Sequence, residues 1–190
     1  IPNSVTSIGR MAFSGCYSLT GIKIPSSVTR IGDWAFSSCR NLTGITIPNS
    51  VTSIGEATFY ECIKLKKITI PAKVTSIGKQ AFYGCRGLTS ITIPNSVTKI
   101  GDRAFYKCTK LKKITIPAKV TSIGKEAFYG CKNLKNITIK TTKLTSKKIG
   151  SKAFKGIHAK ATIKVPKKKL ADYKKILKKK GVGSKAKIKK

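Results

Sequence analysis

Residues 1–23 read IPNSVTSIGRMAFSGCYSLTGIK, and residues 24–46 repeat the pattern as IPSSVTRIGDWAFSSCRNLTGIT. The isoleucine that opens each unit recurs every 23 residues, and six consecutive units keep this register without insertion or deletion. It stands at Ile1, Ile24, Ile47, Ile70, Ile93, Ile116 and Ile139. Self-similarity at a fixed period of this length predicts a solenoid, in which each unit forms one coil and successive coils stack.

Each unit contains the signals of a short strand and two corners. Ile22 and Ile24 flank a polar residue, as expected for an I-x-I strand, and Pro25 ends that strand because proline cannot donate to a ladder. Gly9 follows a V-T-x-I segment, where a positive φ or a close backbone approach would turn the chain. The same residues recur in the other units, so we expect every coil to bend at the same two places.

A third signal lies between the two corners. Phe13, Cys16 and Leu19 are spaced by three, which predicts a short helical or 3₁₀ turn with one face pointing inward. A single coil cannot bury these side chains by itself, so equivalent residues of successive coils should form buried columns about 4.8 Å apart. The expected architecture is a stack of right-handed coils with short parallel strands and short helical or 3₁₀ turns.

The seventh unit departs from the register and a lysine-rich segment follows it. Three residues are inserted before Ile149-Gly150, and the unit closes at Pro166. Beyond it, apolar residues fall on one stripe of a predicted amphipathic helix over residues 167–180 that ends at Gly181. These are Leu170, Tyr173, Ile176 and Leu177. Ala186 and Ile188 then alternate with lysines in a short strand. We expect a solenoid over residues 1–166 and a helix-and-strand cap over residues 167–190.

The unit I-P-x-x-V-T-x-I-G-x-x-A-F-x-x-C-x-x-L-x-x-I-x resembles the BspA-type leucine-rich repeat, the 23-residue class found in bacterial surface proteins. The likeness covers residues 1–166. It implies a leucine-rich repeat solenoid on a secreted or cell-surface bacterial protein, with a role in adhesion to host matrix proteins or other cells. The family carries no catalytic motif, so the resemblance transfers no functional residue.

The composition is strongly basic, and the charge is uneven along the chain. The 190 residues include 40 Lys plus Arg against 6 Asp plus Glu, a formal net charge of +34. Residues 139–190 alone hold 20 basic residues and 1 acidic residue. Such a charge attracts polyanions, but only five of the basic residues are Arg, which argues against specific reading of nucleic-acid bases. The evenly spread apolar residues exclude a disordered polycation, and no apolar run is long enough for a membrane span.

Cysteine occurs once in each regular unit. The six residues are Cys16, Cys39, Cys62, Cys85, Cys108 and Cys131. Parallel side chains one strand spacing apart are poorly aimed for disulfides, and with no C-x-x-C motif and only His158 a zinc site lacks ligands. The spacing therefore predicts an inward ladder of free thiols, which fits a reducing or anaerobic setting.

No group of residues is arranged for catalysis. The six acidic residues are not paired as a catalytic dyad requires, and no acidic residue follows His158 until Asp172. We therefore expect a protein that is not an enzyme and needs no cofactor.

Two columns of outward strand positions are candidate binding residues. One holds Gly21, Gly44, Lys67, Ser90, Lys113 and Asn136, and the other holds Lys23, Thr46, Thr69, Thr92, Thr115, Thr138 and Lys164. We single out Lys23, Lys67 and Lys113 together with Thr69, Thr92 and Thr115 as contacts to a ligand. The other explanation for the threonines is that they simply favour an exposed strand.

Lysines and tyrosines add two further patterns. Lys64, Lys66, Lys67, Lys73 and Lys79 recur 46 residues later as Lys110, Lys112, Lys113, Lys119 and Lys125. Positive charge thus repeats every second coil, about 9.6 Å apart. This row either binds a periodic anionic polymer or forms a solvated face. Tyr60, Tyr83, Tyr106 and Tyr129 form an aromatic column that either stacks on sugars or bases or packs on itself.

These observations favour a non-enzymatic binding or adhesion module whose partner is a protein or glycan of a host matrix or another cell surface. One alternative is an electrostatic binder of polyanions such as glycosaminoglycan, teichoic acid or nucleic acid. Another is a structural spacer or assembly unit. Because Ile1 begins at a repeat boundary, we also expect an N-terminal extension, or stacking of two N-terminal faces, to cover the first coil.

Overall fold

The coils contribute their strands to two parallel β-ladders. The computed structural model describes residues 1–190. One ladder, the short ladder, is built from β1 (Ser7–Ile8), β2 (Arg30–Ile31), β4 (Ser53–Ile54), β6 (Ser76–Ile77), β7 (Lys99–Ile100) and β9 (Ser122–Ile123). The other, the long ladder, is built from β3 (Gly44–Thr46), β5 (Lys67–Thr69), β8 (Lys113–Ile116), β10 (Asn136–Ile139), β11 (Thr162–Lys164) and β12 (Lys187–Lys189).

Paired strands in both ladders match each residue with its equivalent in the neighbouring coil, and the short ladder is interrupted between β2 and β4. In the short ladder Ile54 pairs with Ile77, and Ile77 with Ile100. In the long ladder Ile114 pairs with Ile137, and Ile137 with Ile163. Coil four joins the long ladder through isolated bridges that link it to β5 and β8. The predicted solenoid with short parallel strands is confirmed.

The short ladder was not predicted, since the sequence indicated one strand per coil. It forms where the V-T-x-I segment runs into the repeat glycine, and that glycine allows the coils to approach. A β carbon added at Gly32 would lie 2.6 Å from the backbone nitrogen of Arg10, and one at Gly101 would lie 2.6 Å from the carbonyl carbon of Gly78. Of the two roles expected for this glycine, close backbone approach is therefore the correct one, because none of these residues has a positive φ.

The segment containing the Phe, Cys and Leu columns is a series of turns. Cys16 donates its N–H to the Phe13 carbonyl at 3.2 Å, and Leu19 donates to the Cys16 carbonyl at 3.1 Å, as in the predicted 3₁₀ turns. A continuous helix does not form, because each coil has left-handed residues before and after its Phe, at φ 59° for Met11 and 74° for Gly15 in the first coil. Regular 3₁₀ helices occur only at Ser146–Lys148 and Lys167–Lys169.

These left-handed residues give the turn segments a hydrogen-bonded ladder of their own. The N–H groups of Met11, Phe13 and Gly15 donate to carbonyls of the second coil at 3.0, 2.8 and 2.8 Å, and later coils repeat the arrangement. Ten non-glycine residues adopt a positive φ in this way. Each costs about 1 kcal/mol or more in backbone strain, and the bonds to the next coil offset that cost.

The interior is one continuous core of columns. The seven Phe rings from Phe13 to Phe154 stack with centroids 5.3–5.7 Å apart and interplanar angles of at most 11°. All but Phe13 are fully buried. The predicted stacking of equivalent residues is therefore confirmed over the whole solenoid.

The C-terminal segment closes the last coil as predicted. Helix α1 (Leu170–Lys179) follows the second 3₁₀ helix, and β12 pairs with β11 at the end of the long ladder. Tyr173 is buried, donates its hydroxyl proton to the Thr141 carbonyl at 2.9 Å and accepts the Leu144 N–H at 3.3 Å. Gly181, at φ 101°, ends the helix. The division at residue 166 stays a prediction.

One core position, residue 58, departs from the repeat and leads to a prediction about stability. Thr58 replaces the alanine of the neighbouring coils, and its buried hydroxyl has no hydrogen-bond partner. We expect Thr58→Ala to raise the free energy of unfolding by about 1 kcal/mol, because it removes an unsatisfied polar group. Urea denaturation measures the change. The matched reverse substitution Ala81→Thr should destabilise, and a stabilising Ala81→Thr would contradict this explanation.

Candidate ligand-binding surface

The outward positions of the long ladder form the columns that the repeat predicts. Lys67 pairs in register with Gly44, while Thr69 pairs with Thr46 on one side and with Thr92 on the other. In the later coils the columns continue through Lys113 paired with Asn136, Thr115 with Thr138, and Thr138 with Lys164. The structure thus brings together five of the candidate strand-face residues, and all of them are exposed. Those residues are Lys67, Thr69, Thr92, Lys113 and Thr115.

Lys23 differs from the other candidates. It is exposed, but the first coil contributes no strand to the long ladder, which begins with β3 in the second coil. The hydrogen-bonded threonine column therefore starts at Thr46, and Lys23 is not part of it. The binding role of all these residues stays a prediction.

The acidic side chains all lie away from the long ladder. In every coil, the residues from the repeat cysteine to the end of the following strand include no Asp or Glu. The acidic residues are instead held by other contacts. The ion pairs are Lys79–Glu56 at 2.9 Å, Arg103–Glu126 at 2.7 Å, Arg40–Glu61 at 3.6 Å and Lys169–Asp172 at 2.9 Å. Asp33 and Asp102 each accept a backbone N–H of the next coil at 2.7 Å.

Basic side chains concentrate where the acidic ones are missing. We call this surface the basic edge; it consists of Arg40, Lys64, Lys66, Lys67, Arg86, Lys110, Lys112, Lys113, Lys132 and Lys135, which are all exposed. Of these, only Arg40 has a carboxylate within 4 Å. The basic edge borders the threonine column, and apart from Arg40 its positive charges have no carboxylate within 4 Å.

The basic edge contains a groove of about 380 Å³ between coils three and five. Four lysines line it, Lys64, Lys66, Lys67 and Lys110, together with Gly87 and Thr89 of coil four. We call it the basic groove. The lysine pattern in the sequence predicts these charges but not the groove itself. The sequence signal for the groove is Gly87, which has no side chain at the position where coils three and five carry Lys64 and Lys110.

The tyrosine column packs on itself. The rings of Tyr60, Tyr83, Tyr106 and Tyr129 stack with centroids 4.7, 4.7 and 5.1 Å apart, and interplanar angles stay below 10°. Trp34 continues the column at 5.5 Å with a tilted ring. Each inner ring has its faces covered by its neighbours, so of the two interpretations the geometry supports mutual packing. Only ring edges and the ends of the column can meet a ligand.

The cysteine column is a ladder of buried free thiols, as predicted, with one exception. Each thiol from Cys39 to Cys131 donates to the carbonyl of a Phe in the preceding coil, with Sγ to O distances of 3.0–3.2 Å. The prediction is wrong for Cys16, which is exposed because no coil lies on that side of it. Burial raises the pKa of Cys39 to about 11 and that of Cys131 to about 12.

Thiol labelling checks this arrangement. A protonated, buried thiol is a poor nucleophile, so we expect a thiol reagent at pH 8 to modify one cysteine per folded chain and six after unfolding. Mass spectrometry should place the single label on Cys16. The matched variant Cys16→Ser should show no rapid labelling, and rapid labelling of Cys85 in the folded chain would contradict the buried ladder.

The single histidine of the chain is engaged within its own coil. His158 lies in the seventh coil, where its Nδ1 accepts the backbone N–H of Lys160 at 3.2 Å. No group of three or more His, Cys, Asp or Glu side chains is placed to hold a metal ion. No helix combines the length and apolar character that crossing a membrane requires.

Comparisons with known proteins agree with this geometry. A family model described as "BspA type Leucine rich repeat region (6 copies)" matches residues 1–108 and 52–175. The crystal structure of a T. pallidum leucine-rich repeat protein is 30% identical, with 96% of this chain and 80% of that chain covered and a TM-score of 0.77. No curated protein matches the chain.

Two further crystal structures are similar over only part of their own length. A leucine-rich cell surface protein from Faecalibacterium prausnitzii A2-165 is 29% identical, with 85% of this chain and 59% of that chain covered and a TM-score of 0.56. The pneumococcal vaccine antigen PcpA shares the fold at 23% identity, with 90% of this chain and 41% of that chain covered and a TM-score of 0.70. From the family model over the repeats and the T. pallidum structure over nearly the whole chain, the protein belongs to the BspA-type leucine-rich repeat family.

Proposed function

We propose that the chain is a non-catalytic binding module of a secreted or cell-surface bacterial protein. It holds a macromolecular ligand, a protein or a glycan of a matrix or another cell, on the outward face of the long ladder. The observation that carries this proposal is the regular, exposed face of Lys67, Thr69, Thr92, Lys113 and Thr115 across neighbouring coils. The F. prausnitzii relative, described as a cell surface protein, supports the location.

The arrangement of the face suits an extended contact. Hydroxyl groups one strand spacing apart offer a row of donors and acceptors, and flanking lysines add charge at the border. Because the ladder fixes the strands that carry these hydroxyl groups, little backbone conformational entropy is lost when a ligand binds. The acidic groups that a hydrolase would need are instead engaged in ion pairs and backbone hydrogen bonds elsewhere.

Binding of polyanions is a second candidate function, and the basic edge favours it. This surface holds ten basic residues, of which only Arg40 has a carboxylate within 4 Å. With 40 basic residues against 6 acidic ones, the long-range field attracts any anionic polymer. Salt separates the two functions, because electrostatic binding weakens steeply as salt rises whereas a contact of shape and hydrogen bonds loses far less.

An array of matrix proteins and glycans, probed at low and high salt, tests the proposed function. We expect at least one ligand to stay bound at high salt, and the double variant Lys67→Glu/Lys113→Glu to weaken it by about tenfold. The control Lys99→Glu/Lys125→Glu makes the same charge change at the short ladder and should have little effect. Absence of any ligand at both salt concentrations, or equal loss in both variants, would contradict binding at the long-ladder face.

A further inference from the structure

We propose that the basic groove is a binding site for a linear sulfated glycan, an inference that rests on the polyanion-binding function proposed above. The groove lies between coils three and five, and its lining contains four lysines and no acidic residue. Part of the positive charge of the chain is thus concentrated in one groove of defined shape.

The shape of the groove comes from coil four. Coils three and five carry Lys64 and Lys110 at equivalent positions, and coil four carries Gly87 between them. A β carbon at Gly87 would lie 2.7 Å from the Ile63 carbonyl oxygen, so the backbone of coil four lies directly against coil three. Because no side chain can project there without shifting the backbone, the groove keeps an open floor flanked by lysines.

The electrostatics distinguish this groove from a second depression that is also lined by four lysines. That second depression, of about 500 Å³, lies over the short ladder and contains Lys99, Lys125, Lys147 and Lys148 together with Asp102. The Asp102 carboxylate accepts the backbone N–H of Lys125 and reduces the local positive potential. The basic groove holds as many lysines without such a carboxylate, which makes it the stronger anion site.

The spacing of the charges favours a polymer with anions at regular intervals. Lys64 and Lys66 recur as Lys110 and Lys112 after two coils, about 9.6 Å along the solenoid. An extended sulfated glycan repeats its pattern of charges once in each disaccharide, at a comparable interval. Lysine suits this ligand because its compact ammonium group meets a sulfate from many directions without fixed fork geometry.

A single-stranded nucleic acid fits the same surface less well. Non-specific strand binding combines a basic groove with aromatic platforms on which bases stack. The lining of the basic groove includes no aromatic side chain, and the inner tyrosine rings of the solenoid are covered by one another. A glycan needs no such platform for its charged groups.

The site is tested by a quadruple variant that leaves Lys67 and Lys113 on the long ladder intact. Its substitutions are Lys64→Gln, Lys66→Gln, Lys110→Gln and Lys112→Gln. The control Lys99→Gln/Lys125→Gln/Lys147→Gln/Lys148→Gln removes the same charge from the second depression. The probes are a heparin octasaccharide, the same octasaccharide without sulfate, and single-stranded poly(dT), titrated over a range of salt concentrations. Circular dichroism and thermal unfolding establish that both variants fold.

We expect the groove variant to bind the heparin octasaccharide about tenfold more weakly than the control variant does, and its slope of log K against log salt to fall by about 3. The desulfated octasaccharide should bind weakly to every variant. Equal losses of heparin affinity in the two variants would contradict binding at the basic groove but would still be consistent with polyanion binding elsewhere on the chain. Tighter binding of poly(dT) than of heparin would contradict a glycan as the ligand. If the unmodified chain does not bind heparin at all, both polyanion binding and the glycan site in the basic groove are wrong.

Discussion

Contact between equivalent residues of successive coils is the interaction on which the rest of the structure depends. No coil has an interior of its own, so each inner Phe ring is buried between the rings of its two neighbours at 5.3–5.7 Å. The thiols from Cys39 to Cys131 follow the same rule, because each finds its hydrogen-bond acceptor one coil away. The strained left-handed residues follow it too, since the bonds that offset their strain cross to the next coil.

This constraint separates the residues that hold the coils from those free to carry function. The inward columns keep Ile, Phe, Leu and Cys in nearly every coil, whereas outward positions vary from Gly to Lys along a single column. Charge is distributed accordingly. Four of the six acidic residues make contacts between coils near the short ladder, and lysines collect along the basic edge, whose only carboxylate contact is Arg40–Glu61. Substitutions at outward positions can thus change which ligand the solenoid binds without altering its core.

The repeat alone predicted the features that depend on sequence spacing. The Phe, Cys and Tyr columns and the long ladder follow from side chains that recur every 23 residues, whereas the C-terminal helix and strand follow from their own apolar stripe and alternation. The short ladder and the left-handed turns were missed, because they depend on hydrogen bonds between coils. The first left-handed position, that of Met11, holds Trp34, Gln80 and Glu126 in other coils. The basic groove was missed for a related reason, since its shape depends on how closely Gly87 approaches coil three.

The unfolding free energy of Phe82→Ala, measured by urea denaturation beside that of Phe13→Ala, tests the central claim most directly. Phe82 lies between two rings and is fully buried, whereas Phe13 has a neighbouring ring on one side and is partly exposed. Stacking between coils predicts a loss of about 3–5 kcal/mol for Phe82→Ala and a clearly smaller loss for Phe13→Ala. Equal losses at the two positions would contradict a core built from contacts between coils.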